Sequence, residues 1–126
     1  MTEQDFLAAV DAAVARWRLD RTGEPLTCQF FQGAVAAHCH DNAEAYVTQH
    51  GCEVVRGFLV QHPQDWPMVW VMPHSVVRTG LGLVDVTLKQ TDLIGLGFFP
   101  IEGDPAEFKE WAKKYPRESR PIGRVQ

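Results

Sequence analysis

The stretch Ala37-His38-Cys39-His40-Asp41-Asn42 decides how this chain is read. Small residues from Gly33 to Ala37 precede it. From Asp41 to His50 a helix is expected, with Ala43, Tyr46 and Val47 on one face and Gly51 as its stop. The cysteine is thereby set at a helix N-terminus, where the positive end of the macrodipole favours thiolate over thiol and lowers the pKa. Two histidines and a carboxylate flank it. This pattern makes Cys39 the candidate nucleophile.

Downstream, three runs read as strands. Glu53 to Val60 is rich in β-branched and aromatic residues, Met68 to Arg78 is apolar but broken by Pro73, and Leu83 to Leu88 alternates. Proline cannot donate to a ladder, so a bulge, an edge or a bend is expected just before His74. Arg78-Thr79-Gly80-Leu81-Gly82 is a hairpin signal. Side chains alternate with period two, so an even number of turn residues puts His74 and Asp85 on one sheet face, opposite or diagonal. A Thr79-Gly80 turn would make them directly opposite. Asp85 lies between Val84 and Val86, where an aspartate is disfavoured unless a neighbour needs it.

Upstream, Thr2 and Asp5 form a capping-box pattern, and Phe6, Leu7, Val10, Val14 and Trp17 recur at helical spacing, which predicts an amphipathic helix ending near Trp17 or Leu19. Residues 20–25 read as a loop, and Phe30 and Phe31 as buried. The segment 92–103 reads as a packed loop whose Leu96 to Ile101 portion walls the site. Asp104-Pro105-Ala106-Glu107 reads as a helix start with Asp104 as N-cap, Phe108, Trp111, Ala112 and Tyr115 follow as its apolar face, and Pro116 ends it.

At 126 residues the chain is expected to be one domain, 1–126, with a basic, flexible tail from about residue 116. The acidic N-terminus and the lack of an apolar run long enough for a bilayer predict a cytoplasmic protein with no membrane partner. Cys28, Cys39 and Cys52 are expected as free thiols, since an odd number of cysteines suits no disulfide framework. Lys113, Lys114, Arg117, Arg120 and Arg124 give a basic C-terminus, but the net charge of -4 and the absence of aromatic residues after Tyr115 argue against nucleic acid.

A thiol becomes a useful nucleophile when a histidine handles its proton and a third polar group fixes the imidazole tautomer. Cys39, His74 and Asp85 fill those roles. The runs Cys39-x-x-Asn42, Arg56-Gly57-Phe58-Leu59-Val60, His74-Ser75-Val76-Val77 and Val84-Asp85-Val86-Thr87 resemble the papain-like and transglutaminase-like cysteine enzymes, notably small bacterial and phage domains. The resemblance covers roughly residues 35 to 100. It implies an α+β fold with helices packed on a small antiparallel sheet, Cys39 as nucleophile, His74 as base, Asp85 as orienter, and thiol-dependent hydrolysis or acyl transfer at an amide of a peptide, protein or small molecule. No cofactor is required. Two departures stand out: His40 follows the cysteine where many transglutaminase-like members have tryptophan, and no glutamine lies six residues upstream. Gln32, seven upstream, and Asn42 are the oxyanion or substrate candidates beside the backbone N–H of Cys39.

Two rival readings remain. His38, Cys39, His40, His50, Cys52, His62 and His74 offer donors for zinc, though without ligand spacing of the usual kind. A noncatalytic binding domain, or an inactive member of the fold, is the other.

Overall fold

The computed structural model describes residues 1–123. It is α+β: three helices and a mixed sheet of six strands, in the order α1 (Glu3–Leu19), β1 (Thr27–Cys28), α2 (Cys39–His50), β2 (Glu53–Gln61), β3 (Met68–Thr79), β4 (Gly82–Asp85), β5 (Leu96–Pro100), α3 (Phe108–Lys114) and β6 (Glu118–Pro121). The sheet runs β1-β4-β3-β2-β5, with β6 also on β3. All pairings are antiparallel except β1 with β4, so the expected purely antiparallel sheet is corrected to a mixed one. No helix among the described residues is long and apolar enough to cross a membrane.

Alternation along β2 explains the layers. Val54, Arg56, Phe58 and Val60 face the helices; Val55, Gly57 and Leu59 face away. On the helix side α1 buries Phe6, Val10, Val14 and Trp17 against Phe58, Val60, Val69 and Val71, while α2 buries Ala43 and Tyr46 against Val54, Val77 and Val84. The other face is covered by loops, through Leu26, Leu88 and Leu93 on Val55, Val76 and Phe98.

Pro73 stays in register opposite Phe58, without a bulge. On its other side residues 72–76 have no strand partner, because β6 pairs only as far as Val71 and β4 only from Val77. The missing donor thus falls at a local edge in mid-sheet, where proline is tolerated. Here the N-terminus of α2 meets the sheet.

Several local expectations change. The segment 96–100 is not a loop but a strand on β2, and Gly97 lets the loop after α1 lie close to it, since a Cβ there would stand 2.7 Å from the Arg21 carbonyl oxygen. The flexible tail is in part a strand, Glu118–Pro121 on β3, with Arg120 held by Asp11 and Glu118; Arg124 lies outside the described residues. Helix α3 starts at Phe108 rather than after Asp104, because the Asp104 carboxylate is taken by Arg56 at 3.0 Å and cannot cap. Phe31 is buried, but Phe30 is 87% exposed. The capping box of α1 and the left-handed Gly51 closing α2 (φ 68°) form as read.

Candidate functional site

Cys39 opens α2. His38 precedes it as N-cap without a side-chain cap, and Ala37 adopts a left-handed φ of 65°. That conformation costs a non-glycine residue about 1–2 kcal/mol, so the surroundings must impose it. Asn42 ties down the loop two residues before Ala37. Its Oδ1 accepts from Val35 N–H at 2.9 Å, and its amide donates to the Val35 carbonyl and to Thr87 Oγ1, each at 2.9 Å. The loop before the cysteine is thereby tied to both the helix and the chain after β4. The first-turn N–H groups of Cys39, His40 and Asp41 have no intrahelical acceptor and are left for a ligand or solvent.

His74 and Asp85 come together on the sheet face away from the helices. The β3–β4 turn is the two-residue Gly80-Leu81, with Val77 opposite Val84, so Asp85 stands diagonal to His74 rather than opposite. His74 Nε2 lies 2.6 Å from Asp85 Oδ2. The second carboxylate oxygen of Asp85 accepts from the backbone N–H groups of Thr87 (2.9 Å) and Leu88 (2.8 Å), and the residue is fully buried. Across β2 from His74 sits Gly57, where a Cβ would meet Phe98 Cζ at 2.8 Å and the Phe99 carbonyl oxygen at 2.6 Å. The glycine lets the Phe98 ring rise edge-on against the imidazole, with centroids 6.1 Å apart. The Leu96 to Ile101 segment therefore does wall the site, through Phe98.

With Nε2 committed to Asp85, Nδ1 of His74 is the nitrogen left for Cys39. The Cys39 thiol and the His74 imidazole are within side-chain hydrogen-bonding reach of each other. The electrostatics follow from that proximity. Partial burial pushes the Cys39 thiol up, but His40 and then His74 more than offset it and bring its pKa down to about 5. Burial pushes His74 down, yet Asp85 and then the Cys39 thiolate raise it to about 9. Burial likewise acts to raise Asp85, but its bonds to His74 and to the two amides hold its carboxyl below the usual range. The two shifts together favour thiolate and imidazolium over thiol and neutral imidazole near neutral pH. The Cys28 thiol, by contrast, is pushed up by burial, Asp85 and Asp92.

The remaining candidates do not gather here. Gln32 borders a surface hollow with Tyr46, Gln49 and His50, over the C-terminal half of α2, and is not brought to Cys39. Asn42 is buried with its side-chain hydrogen bonds spent on Val35 and Thr87, so it positions the loop instead of offering itself to a substrate. The possible zinc donors are dispersed: His50 and Cys52 lie at the far end of α2, His62 bonds the Trp66 carbonyl, and no group of three suitable side chains converges among the described residues. Trp66 and Trp70 pack against each other with rings tilted by 40°, and Arg117 lies over Trp70.

Two residues were missed at the sequence level. Ser75, fully buried, lies 2.6 Å from His40 Nδ1, and Arg56, 4% exposed, donates to Ser75 Oγ at 2.9 Å. A lone arginine inside the apolar run Val54 to Val60 was the signal for this network. Beside the site, the loop 28–36 and the turn 86–90 enclose an apolar hollow of about 580 Å³, rimmed by Phe30, Val35, Ala36 and Leu88.

The chain matches no protein-family model, and no curated protein or solved structure is significantly similar to it.

Proposed function

We propose that this protein is a thiol-dependent hydrolase or acyltransferase acting on an amide bond, with a papain-like or transglutaminase-like arrangement of Cys39, His74 and Asp85. The observation that carries the reading is one constellation: a thiol on a helix N-terminus, facing an imidazole whose other nitrogen is held by a buried carboxylate. Such a shift of thiol and imidazole pKa values toward the ion pair is what nucleophilic catalysis by cysteine requires.

In this reading the Cys39 thiolate attacks the substrate carbonyl carbon. The oxygen takes up the negative charge beside the unpaired N–H of Cys39 at the head of α2. As the intermediate collapses, His74 gives its Nδ1 proton to the amide nitrogen, the C–N bond breaks, and a thioester on Cys39 remains. Neutral His74 then takes a proton from water or an amine as it attacks, and thiolate leaves. Asp85 stays ionised throughout and stabilises the imidazolium. The apolar hollow between residues 28–36 and 86–90 suits an acyl group or side chain that is itself apolar.

The test uses an activated ester, p-nitrophenyl acetate. One equivalent of p-nitrophenol should be released in a burst near neutral pH, and intact-mass and peptide mapping should place a hydroxylamine-sensitive acetyl group on Cys39. An ester that acylates Cys28 or Cys52 as readily, or no burst at all, contradicts acyl chemistry and favours a noncatalytic binding domain.

A further inference from the structure

The site holds a second imidazole that the triad does not use. His40 on α2 reaches Ser75 on β3 from the helix side, while His74, the neighbour of Ser75 along the strand, points to the opposite sheet face. His40 is fixed on two sides: Nδ1 is 2.6 Å from Ser75 Oγ, and Phe108, itself fully buried, meets the ring edge-on at 5.6 Å.

The hydrogen-bond inventory around Ser75 decides where the His40 proton sits. Arg56 Nη1 lies 2.9 Å from Ser75 Oγ, and a guanidinium only donates, so it occupies a lone pair of the hydroxyl. Arg56 is buried and locked in place by Glu44 and Asp104. The hydroxyl proton of fully buried Ser75 then needs an acceptor, and among the described residues His40 Nδ1 is the one within reach. A proton on Nδ1 would leave Ser75 Oγ facing two donors with its own proton unpaired. Nδ1 is therefore bare, and the ring proton is on Nε2, the edge turned away from Ser75.

We propose that His40 is a further residue of the catalytic centre, a neutral imidazole that donates Nε2–H to the Cys39 thiolate, its tautomer set by the relay Arg56 to Ser75 to His40. The proposal rests on the reading of Cys39 as nucleophile. It gives the two histidines separate work: His74 moves protons, and His40 holds the resting charge on sulfur without moving any. The groups facing His40 are Cys39, Ser75 with Arg56 behind it, and the uncharged Phe108.

The experiment combines a tautomer assignment with a thiol titration. Long-range proton–nitrogen correlation spectra of the ¹⁵N-histidine-labelled protein near neutral pH should show His40 with an unprotonated Nδ1 and a protonated Nε2. In Ser75→Ala that preference should weaken. The pH midpoint of Cys39 alkylation by iodoacetamide, mapped by mass spectrometry, should rise by about one to two units in His40→Leu and by much less in His40→Gln, whose amide keeps a donor. A proton on Nδ1 or on both nitrogens, or a midpoint equally low in His40→Leu, overturns the proposal. Should His40→Leu fail to fold, the spectra and His40→Gln still decide. An ordinary midpoint in the wild type would instead sink the nucleophile reading itself, so the two failures are distinct.

Discussion

His74 Nε2 and Asp85 Oδ2 are 2.6 Å apart although the two residues do not face each other in the β3–β4 ladder. Asp85 lies one residue beyond the last β3–β4 pair, Val77 with Val84, and the imidazole reaches diagonally across to it. What aims the carboxylate is the end of β4: the chain bends after Asp85, and the amides of Thr87 and Leu88 seize Oδ1, turning Oδ2 toward His74.

That geometry predicts an informative result for Asp85→Asn. The amide oxygen will keep the bonds to Thr87 and Leu88, so the NH₂ group is presented to His74 Nε2. The imidazole must then carry its proton on Nδ1, the wrong tautomer for a base facing Cys39. Acylation by p-nitrophenyl acetate should fall by about two to four orders of magnitude with little loss of stability. Asp85→Ala, which orphans the buried His74 donor and the half-buried amides of Thr87 and Leu88, should additionally cost about 3 kcal/mol in a denaturant titration.

Acylation should be bell-shaped in pH, rising through about 5 as Cys39 ionises and falling through about 9 as His74 loses its proton. A midpoint on the acid limb near the ordinary thiol value of 9.0 would show that no ion pair forms.

Stability should show the same pair with opposite signs. The depressed Cys39 value contributes stability that grows as pH rises above about 5, because the unfolded thiol still holds its proton. The raised His74 value contributes stability that is complete below its unfolded value of 6.5 and is lost as pH rises through about 9. The contribution of the pair therefore rises from about 5 to 6.5 and is then level to about 9, where the two slopes cancel. Cys39→Ser removes the rise. Comparing melting temperatures of the two proteins across this range isolates the effect.

Gly57→Ala should damage both fold and site. The new methyl would stand 2.6 Å from the Phe99 carbonyl oxygen and 2.7 Å from Pro100 Cα, backbone that cannot turn aside. A loss of about 1–3 kcal/mol is expected, with Phe98 shifted off His74 and slower acylation. Unchanged stability would mean that β5 does not lie against β2 as described.

Asn42→Ala removes three bonds around Val35 and Thr87. Stability should fall by about 2 kcal/mol or more, and Cys39 alkylation should slow because its loop is no longer held. Asn42→Asp keeps one acceptor but sets a carboxylate against the Val35 carbonyl, so it should not restore the wild-type rate.

The parts of the site that were legible from sequence rest on short-range rules. The period-two alternation, with an even turn, put His74 and Asp85 on one face, and Gly51 marked the end of α2. Other parts depend on distant partners. Gln32 lies in the irregular stretch before α2, beside Tyr46, Gln49 and His50, and its separation from Cys39 along the chain did not show that direction. Strands β5 and β6 form because β2 and β3 offer free edges, and neither Leu96–Pro100 nor Glu118–Pro121 announces that pairing by its own pattern. Asp104 had the local pattern of a cap but was claimed by Arg56.

The most direct test of the central claim, that Cys39 is a thiolate paired with His74, is competitive labelling near neutral pH. A limiting amount of iodoacetamide, followed by peptide mapping, reads Cys28, Cys39 and Cys52 in one sample. Because reactivity follows thiolate fraction and access, Cys39 should be labelled well before the others, and His74→Ala should slow it while the fold survives. Equal labelling of the three thiols in native protein, or a Cys39 rate untouched by His74→Ala, would contradict the account.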